Sequence, residues 1–410
     1  MDVVKSVVGL CINEPCVVLM PELVDFPTSF FPSTHGDVMS VLGGFSPLQS
    51  TVVSVRLKSC PVDLFPRAYK CCLRLNCTSP LLRSPNVGFV NIGELVSLPE
   101  LRSELARVDA LLRSSVAVED DPILTEAATH LIAAGGKRLR PTLAVAAALA
   151  GVNAPVPESV IEGAAAVELV HLGSLYHDDV LDGATTRRAV PTVNSKWDNF
   201  IAIIAGDYLL ARASSLAARL GTEVTALLAD TIAELCRGQA REHRDAFSLE
   251  RSIKGYEACI DGKTASLLAT SARMGALAAD LPREHVDALT NFARNFGMAF
   301  QIRDDLLDIT GTDEELGKPA GNDLVEGVYT LPVIYALREP GIGDELRALL
   351  GGPIDTPERD KARDLVRSST GVRTAEDAGR EWARMATAEL ALLPNSPMKE
   401  RFIALSNALF

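Results

Sequence analysis

The sequence predicts an all-α protein built as a large helical bundle, on three observations. From about residue 99 to residue 410, apolar residues recur at helical spacing in one segment after another. Hydrophobic residues make up 47% of the chain and aromatic residues only 5%, a balance that favours packed Ala-, Leu- and Val-rich helices over an aromatic-rich sheet sandwich. The connections between the helical segments are short, as in bundles.

Residues 1–88 differ from the rest of the chain. They contain nine prolines and six of the eight cysteines, and no helical period runs through them. The apolar stretches 16–20 and 51–57 are candidate strands, but prolines isolate them. We favour a disordered extension or a start codon assigned too far upstream; a small β-like module and a targeting segment are the alternatives. A chain of 410 residues exceeds the roughly 250 to 300 that usually form one core, so we expect one large domain with an appendage. The predicted domain spans residues 89–410.

Charge and cysteine usage restrict the partners and the compartment. The chain carries 53 acidic and 40 basic residues, a net charge of -13, which argues against a nucleic-acid partner because a phosphate backbone requires a basic surface. An anionic substrate would need metal ions or a local cluster of cations. We expect a cytoplasmic protein, because the sequence shows no signal peptide, no apolar run of about 18 residues and no paired CxxC spacing.

Local signals predict the helices in order. A first helix covers residues 101–112, where apolar positions recur at helical spacing. Asp121 and Pro122 provide an N-cap and a first-turn proline for the second. Pro157 and Glu158 open a long helix that ends at an aspartate cluster. Later helices are predicted at 198–219, 222–244, 249–279 and 284–309.

Two aspartate clusters of the same pattern, DDVLD at 178–182 and DDLLD at 304–308, follow long helical runs. The first and fifth positions of each lie about 40° apart on a helix, so their carboxylates form a pair. Such like-charged pairs cost stability. Hard oxygen ligands on helices suit Mg²⁺, which completes its coordination with water and substrate phosphate. The predicted metal ligands are Asp178, Asp182, Asp304 and Asp308.

Basic, Gly-containing motifs accompany the clusters. In GGKRLRP at 135–141, the glycines allow the backbone to approach a ligand, and Lys137 and Arg140 present two cations. Each such motif alone is more often a solvated turn or a counter-ion, but together they complete a diphosphate site. The other predicted cations are Arg187 and Arg188 after the first cluster, Lys263 beside Thr264, and Lys318 in a Gly-rich loop after the second cluster.

In this order the motifs resemble the trans-polyprenyl diphosphate synthase (polyprenyl synthetase) family. The resemblance covers roughly residues 95–410, and residues 1–88 match nothing in it. It implies the isoprenoid synthase type of bundle with a central active-site cavity, Mg²⁺ as cofactor and a homodimer. The matching stretches are GGKRLRP at 135–141, LVHLGSLYHDDVLDGATTRR at 169–188, GDYLL at 206–210, KT at 263–264, FQIRDDLLD at 300–308 and GKPAGNDL at 317–324.

The resemblance also implies a role for each motif residue. His171 would join the diphosphate site for isopentenyl diphosphate, and it lies about two turns before Asp178, on the same helix face. Asp178 and Asp182 would hold Mg²⁺ against the allylic diphosphate, with Asp304 opposite. The implied residues for isopentenyl diphosphate are Lys137, Arg140, His171 and Arg188; the one for the allylic diphosphate is Arg187; those that neutralise the leaving group are Lys263, Gln301 and Lys318. Gly136 and Thr264 are further substrate-binding residues that the resemblance implies.

The reaction that the resemblance implies is ionisation of the allylic diphosphate, attack by isopentenyl diphosphate and loss of a proton. Charge that grows on the leaving group is what Mg²⁺ and the cations would stabilise. Gly173 and Ser174, about one turn before Asp178, are too small to form a floor. We therefore expect a long product, hexaprenyl to decaprenyl, delivered to a membrane, although Tyr176 is a possible obstruction.

Two alternatives remain open. One is a short-chain geranylgeranyl or farnesyl diphosphate synthase, since product length depends on the floor of the channel. The other is a non-catalytic subunit of a heteromeric synthase, although both aspartate motifs are complete in this sequence.

Overall fold

The structure, a computed structural model, describes residues 39–41, 53–56, 74–75, 98–316 and 319–410, and the chain divides into two units, Met1–Val87 and Gly88–Phe410. In the first unit, three short strands form an antiparallel sheet, β1 (Met39–Val41), β2 (Val53–Arg56) and β3 (Arg74–Leu75), in that order. β2 falls within the apolar stretch 51–57, whereas the candidate strand at 16–20 lies outside the described residues. The nature of residues 1–88 stays a prediction.

The second unit is helical, which confirms the all-α prediction. A single two-residue hairpin interrupts the helices of its described part, β4 (Thr186–Arg187) paired with β5 (Val190–Pro191). Up to the second aspartate cluster the helices are α1 (Pro99–Ser115), α2 (Pro122–Ala133), α3 (Leu139–Leu149), α4 (Glu158–Leu181), α5 (Val193–Lys196), α6 (Asn199–Arg219), α7 (Thr222–Arg244), α8 (Ile253–Ile260), α9 (Ser266–Ala278) and α10 (Arg283–Thr310).

The chain after α10 continues as shorter helices, which contact both halves of α10. They are α11 (Asp313–Leu316), α12 (Asn322–Val325), α13 (Leu331–Ala336), α14 (Ile342–Leu349), α15 (Thr356–Ser368), α16 (Gly371–Glu389), a 3₁₀ turn (Leu390–Leu392) and α17 (Pro397–Asn407). Arg363 and Arg367 of α15 donate to the carbonyl of Ile309, each at 2.8 Å. These cations suit the negative end of the α10 dipole, so α15 holds the C-terminus of the helix that bears the second aspartate cluster.

Capping residues begin the helices where the sequence predicts. The Asp121 side chain accepts from the backbone N–H of Leu124 at 2.9 Å, and Asp198 accepts from that of Ile201 at 2.8 Å. The predicted helix at 249–279 is different, because it begins at Ile253 and is divided by a π-helical turn over Asp261–Ala265. The turn carries the Lys-Thr motif, and such turns often occur at functional sites.

The π turn is in close contact with two neighbouring helices, α7 and α10. A Cβ added to Gly238 of α7 would lie 2.6 Å from the backbone nitrogen of Lys263. Arg294 of α10 makes two hydrogen bonds of 2.6 Å to the carboxylate of Asp261. Packing between distant segments therefore determines the local backbone, which explains why the periodicity alone predicted an unbroken helix.

Helix α4 lies in the main core and packs most closely on α6. A Cβ added to Gly173 of α4 would lie 3.0 Å from the carbonyl oxygen of Gly206, and one added to Gly206 of α6 would lie 3.2 Å from that of Gly173. The two backbones thus approach each other where neither residue has a side chain. Interiors are close-packed, so this contact fixes how α4 presents its first aspartate cluster.

Candidate active site

A cavity of about 410 Å³ opens among the turn before α3, the middle of α4, the β4–β5 hairpin, the π turn and helices α9 and α10. It contains all seven residues predicted to bind substrate. Its lining consists of Gly136, Lys137, Arg138, Leu139, Arg140, Glu168, His171, Leu175, Arg187, Arg188, Thr264, Leu268 and Phe300. The structure therefore brings together residues that are far apart in the sequence. Gly136 and Thr264, for example, are separated by 128 positions.

The glycine turn allows the approach of an arginine from the hairpin. Gly136 has a φ of 140°, and a Cβ there would lie 2.8 Å from Cζ of Arg188. Arg188 itself has a left-handed φ of 53°. Its guanidinium donates to the carbonyl of Leu131 at 3.1 Å and to that of Gly135. Gly136 is thus needed for its conformation and for the space that it leaves to Arg188.

The cations of the cavity are gathered around one buried carboxylate, Glu168, which is 1% exposed. Arg138 donates to it at 3.0 Å and is also held by Asp109 at 2.9 Å. Burial lowers the pKa of Arg140 to about 10, while Glu168 opposes that change. The buried Nε of Arg140 has no hydrogen-bond partner in the described part of the chain. A bound anion would satisfy it.

His171 lies within this cluster and is neutral. Burial lowers its pKa well below the ordinary value, and the surrounding Arg140 and Arg188 lower it further. Its neutral imidazole can donate one hydrogen bond to an anion without adding another buried charge. The cluster therefore offers several hydrogen-bond donors with a limited excess of positive charge.

The first aspartate cluster forms a second, acidic part of the site. Burial raises the pKa of Asp178, and the nearby Asp182 contributes to the increase. Burial also raises the pKa of Asp182, with Glu242 of α7 adding to it. Lys263 forms an ion pair with Glu242. Although burial lowers the pKa of Lys263, Glu242 raises it above its usual value, so this ammonium is firmly charged between the carboxylates.

This acidic part fits a divalent cation that arrives with a phosphate ligand. In the described residues, no three carboxylate, imidazole or thiol side chains converge as a preformed metal cage. Mg²⁺ typically takes only one or two protein carboxylates and receives its other ligands from water and phosphate. The crowding that raises the pKa values of Asp178 and Asp182 is also what a dication would relieve.

Asp179, the middle residue of the first cluster, positions an arginine. It is 1% exposed and accepts a 2.6 Å hydrogen bond from Nε of Arg187. Arg187 is thereby fixed between the acidic cluster and the cavity. Sequence reasoning assigned no role to this middle aspartate.

The three aspartates of the second cluster have different environments. Asp304 is exposed, and its charge opposes the lowering of the pKa of Lys137 by burial. Asp308 is 3% exposed and accepts from the backbone N–H of Asp323 at 3.2 Å. Asp308 is therefore bonded to the following loop, whereas Asp304 is exposed and interacts electrostatically with Lys137 of the glycine turn. The predicted Lys318 lies outside the described residues.

The third of them, Asp305, is buried and hydrogen-bonded to side chains on both oxygens. Tyr256 of α8 donates to one oxygen at 2.6 Å, and Nε2 of Gln301 donates to the other at 2.8 Å. Oε1 of Gln301 accepts from the hydroxyl of Thr264 at 2.7 Å. Burial raises the pKa of Asp305 to about 7, and the two hydrogen bonds oppose the increase.

The two residues predicted to control product length occupy different positions. Ser174 is partly exposed on the face of α4 that carries His171 and Asp178, and its hydroxyl donates to the carbonyl of His171 at 2.9 Å. Gly173 instead lies in the contact with α6. Tyr176 is fully buried against α2, where it donates to the carbonyl of Ala127 at 2.7 Å, so it does not obstruct the face of Ser174.

Besides Asp179, four residues that contribute to the site were missed from the sequence. Glu168 lies one turn before His171 on α4, and its place on the same helix face could have indicated it. Glu242 and Tyr256 become visible only when α7 and α8 pack beside α10. Asp305 was counted as part of a motif but received no role of its own.

Comparison with known proteins agrees with the site. A model of the polyprenyl synthetase family matches residues 121–367. The nonaprenyl diphosphate synthase of Mycobacterium tuberculosis is 42% identical over 321 residues, which cover 78% of this chain and 95% of that protein. Component 2 of the heptaprenyl diphosphate synthase of Geobacillus stearothermophilus is 41% identical, covering 73% and 92% of the two chains.

Solved structures agree as well. The geranylgeranyl pyrophosphate synthase of Corynebacterium glutamicum, crystallised with calcium and isoprenyl diphosphate, is similar to this chain with a TM-score of 0.67 and 41% identity. The match covers 77% of this chain and 96% of that one. An all-α bundle with opposed acidic and basic anion sites defines a prenyltransferase of the isoprenoid synthase fold. The chain belongs to the polyprenyl synthetase family.

Substitution of Gly136 by valine tests the geometry of the turn. We expect the KM for isopentenyl diphosphate to rise at least about tenfold. The new side chain would displace Arg188, and the substrate would lose one charge-assisted contact, a loss that weakens binding by about that factor. The matched control is Gly135→Ala, which has a positive φ in the same turn but meets no atom within 4 Å. Steady-state kinetics with varied isopentenyl diphosphate measure the effect; equal KM values for the two variants would contradict it.

Proposed function

We propose that this enzyme condenses isopentenyl diphosphate with an allylic diphosphate in a Mg²⁺-dependent reaction and yields a long-chain all-trans polyprenyl diphosphate. The observation that carries the proposal is the pairing of two unlike anion sites beside one cavity. Lys137, Arg140 and Arg188 offer direct cationic contacts for one diphosphate. Asp178 and Asp182 offer carboxylates through which a metal would hold the other.

The allylic substrate would bind with its diphosphate near Asp178, Arg187 and Lys263. When bound, Mg²⁺ would stabilise the negative charge that collects on the leaving oxygens as the C1–O bond breaks. Lys263, kept charged by Glu242, and Arg187, kept in place by Asp179, would supply further positive charge there. The bond electrons leave with the diphosphate, and an allylic cation remains.

Isopentenyl diphosphate would be held by the basic cluster, with neutral His171 as a hydrogen-bond donor. Its C3–C4 double bond attacks C1 of the allylic cation, and the C4–C1 bond forms. Loss of a proton from C2, to the released diphosphate, creates the new allylic double bond. Leu175, Leu268 and Phe300 provide apolar cavity walls, which would help to keep water from the cation.

The second cluster would act mainly through Asp304. This carboxylate is exposed and interacts electrostatically with Lys137 of the glycine turn, and we propose that it holds metal from the side opposite Asp178. Asp308 would instead stabilise the loop after α10, because it accepts from the backbone of Asp323. This role revises the expectation that both ends of the second motif bind metal.

Asparagine substitutions test the proposed division of roles. Incorporation of labelled isopentenyl diphosphate should require Mg²⁺, and Asp178→Asn or Asp182→Asn should lower kcat by about 100-fold or more, as removal of a group that stabilises transition-state charge does. Asp308→Asn should cost less than about tenfold, because the amide oxygen can still accept from Asp323. Equal losses at Asp178 and Asp308 would contradict the assignment, and activity unchanged by chelation would contradict the metal requirement.

A phenylalanine at Ser174 tests product length. The side chain would project from the same face of α4 as His171 and Asp178, so we expect the main product to shorten to about geranylgeranyl length while isopentenyl diphosphate binding is kept. Ser114→Phe is the matched control, since Ser114 is exposed on α1 and makes the same type of hydroxyl bond, 3.1 Å to the carbonyl of Leu111. Chromatography of dephosphorylated products gives the chain length. An unchanged distribution would contradict our position for the channel floor, and a short wild-type product would favour the short-chain alternative.

We also propose that the chain forms a homodimer through α6. Phe200, Ile203 and Ile204 are 68%, 43% and 40% exposed along one side of this helix. By length and composition alone, Asn199–Arg219 is apolar enough to cross a membrane, but its opposite side packs on α4 at Gly206. A second copy is the occupant we propose; a different subunit is the alternative, because the relative from Geobacillus stearothermophilus is a synthase component.

The location would be cytoplasmic, with the product passed to a membrane.

Charge reversal at this surface tests the dimer. Phe200→Glu combined with Ile204→Glu should convert the dimer to a monomer in sedimentation velocity, because like charges would face each other across a two-fold interface. The double variant Thr225→Glu and Ala226→Glu, placed in the first turns of α7, serves as a control for added charge. A wild-type chain that is monomeric and inactive when alone would favour the heteromeric alternative.

A further inference from the structure

We propose that Tyr256 is a positioning residue for the leaving-group side of the active site, acting through Asp305 and Gln301 on Thr264. The inference rests on the proposed function, because Gln301 and Thr264 matter only if an allylic diphosphate binds beside them. Tyr256 is not among the residues that line the cavity. It would instead orient Thr264, which does line the cavity.

The four side chains form a continuous hydrogen-bonded row. It begins at the Tyr256 hydroxyl, 2.6 Å from Asp305, and passes from Asp305 to Nε2 of Gln301 at 2.8 Å. It ends where Thr264 donates to Oε1 of Gln301 at 2.7 Å. Tyr256 is 1% exposed and Asp305 is 4% exposed, so water cannot readily replace these bonds.

The row determines which way the Gln301 amide faces. Nε2 of Gln301 donates to Asp305, and the carboxylate form of Asp305, which can only accept, keeps the NH₂ end of the amide toward itself. Oε1 must then face Thr264, and the Thr264 hydroxyl donates to it. The second N–H of Gln301 stays available to donate to another group. The Thr264 hydroxyl has used its proton within the row, so its oxygen can only accept from other groups. A rotated amide would reverse these donors and acceptors beside Lys263.

Tyr256 is suited to fix this orientation because it is itself immobilised. It lies on α8, immediately before the π turn that carries Lys263 and Thr264. The guanidinium carbon of Arg251 lies 5.6 Å from the centre of its ring, within cation–π range. Arg251 in turn donates a hydrogen bond of 2.9 Å to the carbonyl of Tyr329. The hydroxyl of Tyr256 thus connects the helix before the π turn to the second aspartate motif on α10.

Replacement of Tyr256 by phenylalanine is the direct test, since it removes the hydroxyl and preserves the ring. We expect kcat/KM for the allylic substrate to fall about tenfold, the loss typical of a hydrogen bond to a charged group. The KM for isopentenyl diphosphate should change less than about twofold, because Arg140, His171 and Arg188 belong to α3, α4 and the β4–β5 hairpin, whereas the row joins α8, the π turn and α10. The matched control is Tyr329→Phe, which also removes a buried hydroxyl, one that accepts from the backbone N–H of Gly351 at 2.7 Å.

A double-mutant cycle decides whether Tyr256 acts through Gln301. In a Gln301→Leu background, Tyr256→Phe should cost less than about twofold, because the amide to be oriented is gone. Asp305→Asn gives a second variant, which should show the same difference between the two substrates. The inference is overturned if Tyr256→Phe matches Tyr329→Phe in activity, if both substrates lose binding equally, or if the two substitutions act additively. A wild-type chain that incorporates no isopentenyl diphosphate would instead overturn the proposed function.

Discussion

The structure depends on the burial of many charges of both signs beside one cavity, and each group must be balanced by a neighbour. A buried unpaired charge would be expensive or would change its protonation state. Glu168 balances the cations around Arg138 and Arg140, and Glu242 balances Lys263. The balance is incomplete at Asp178 and in the Nε of Arg140, and these are the places where ligands would complete it.

The same constraint explains why the backbone is unusual around the site. The turn before α3 and the hairpin after α4 hold Gly136 and Arg188 at positive φ, and the Lys-Thr motif lies in a π turn. Such conformations persist only where the surrounding contacts determine them. Here the contacts are the guanidinium of Arg188 against Gly136 and the backbone of Gly238 against Lys263. Irregular segments thereby bring side chains from separate helices to one point.

Much of the fold and site could be predicted because the signals are local. Asp121 and Asp198 cap the helices that the pattern predicts, and all seven residues predicted to bind substrate line the cavity. The rest depends on contacts between distant segments. Nothing near Glu242 in the sequence indicates its pairing with Lys263, and the spacing of Asp304 and Asp308 conceals that the latter is used by a loop.

The three carboxylates of the second cluster on α10 therefore have three different environments, and helix geometry explains why. Successive residues lie about 100° apart, so Asp304 and Asp305 cannot face the same direction. Asp304 is exposed, whereas Asp305 is turned into the core, where only hydrogen bonds such as those from Tyr256 and Gln301 make a carboxylate tolerable. One turn later, Asp308 meets the loop backbone. A motif that looks like repeated metal ligands thus contains one exposed carboxylate and two buried ones whose hydrogen bonds join α10 to neighbouring segments.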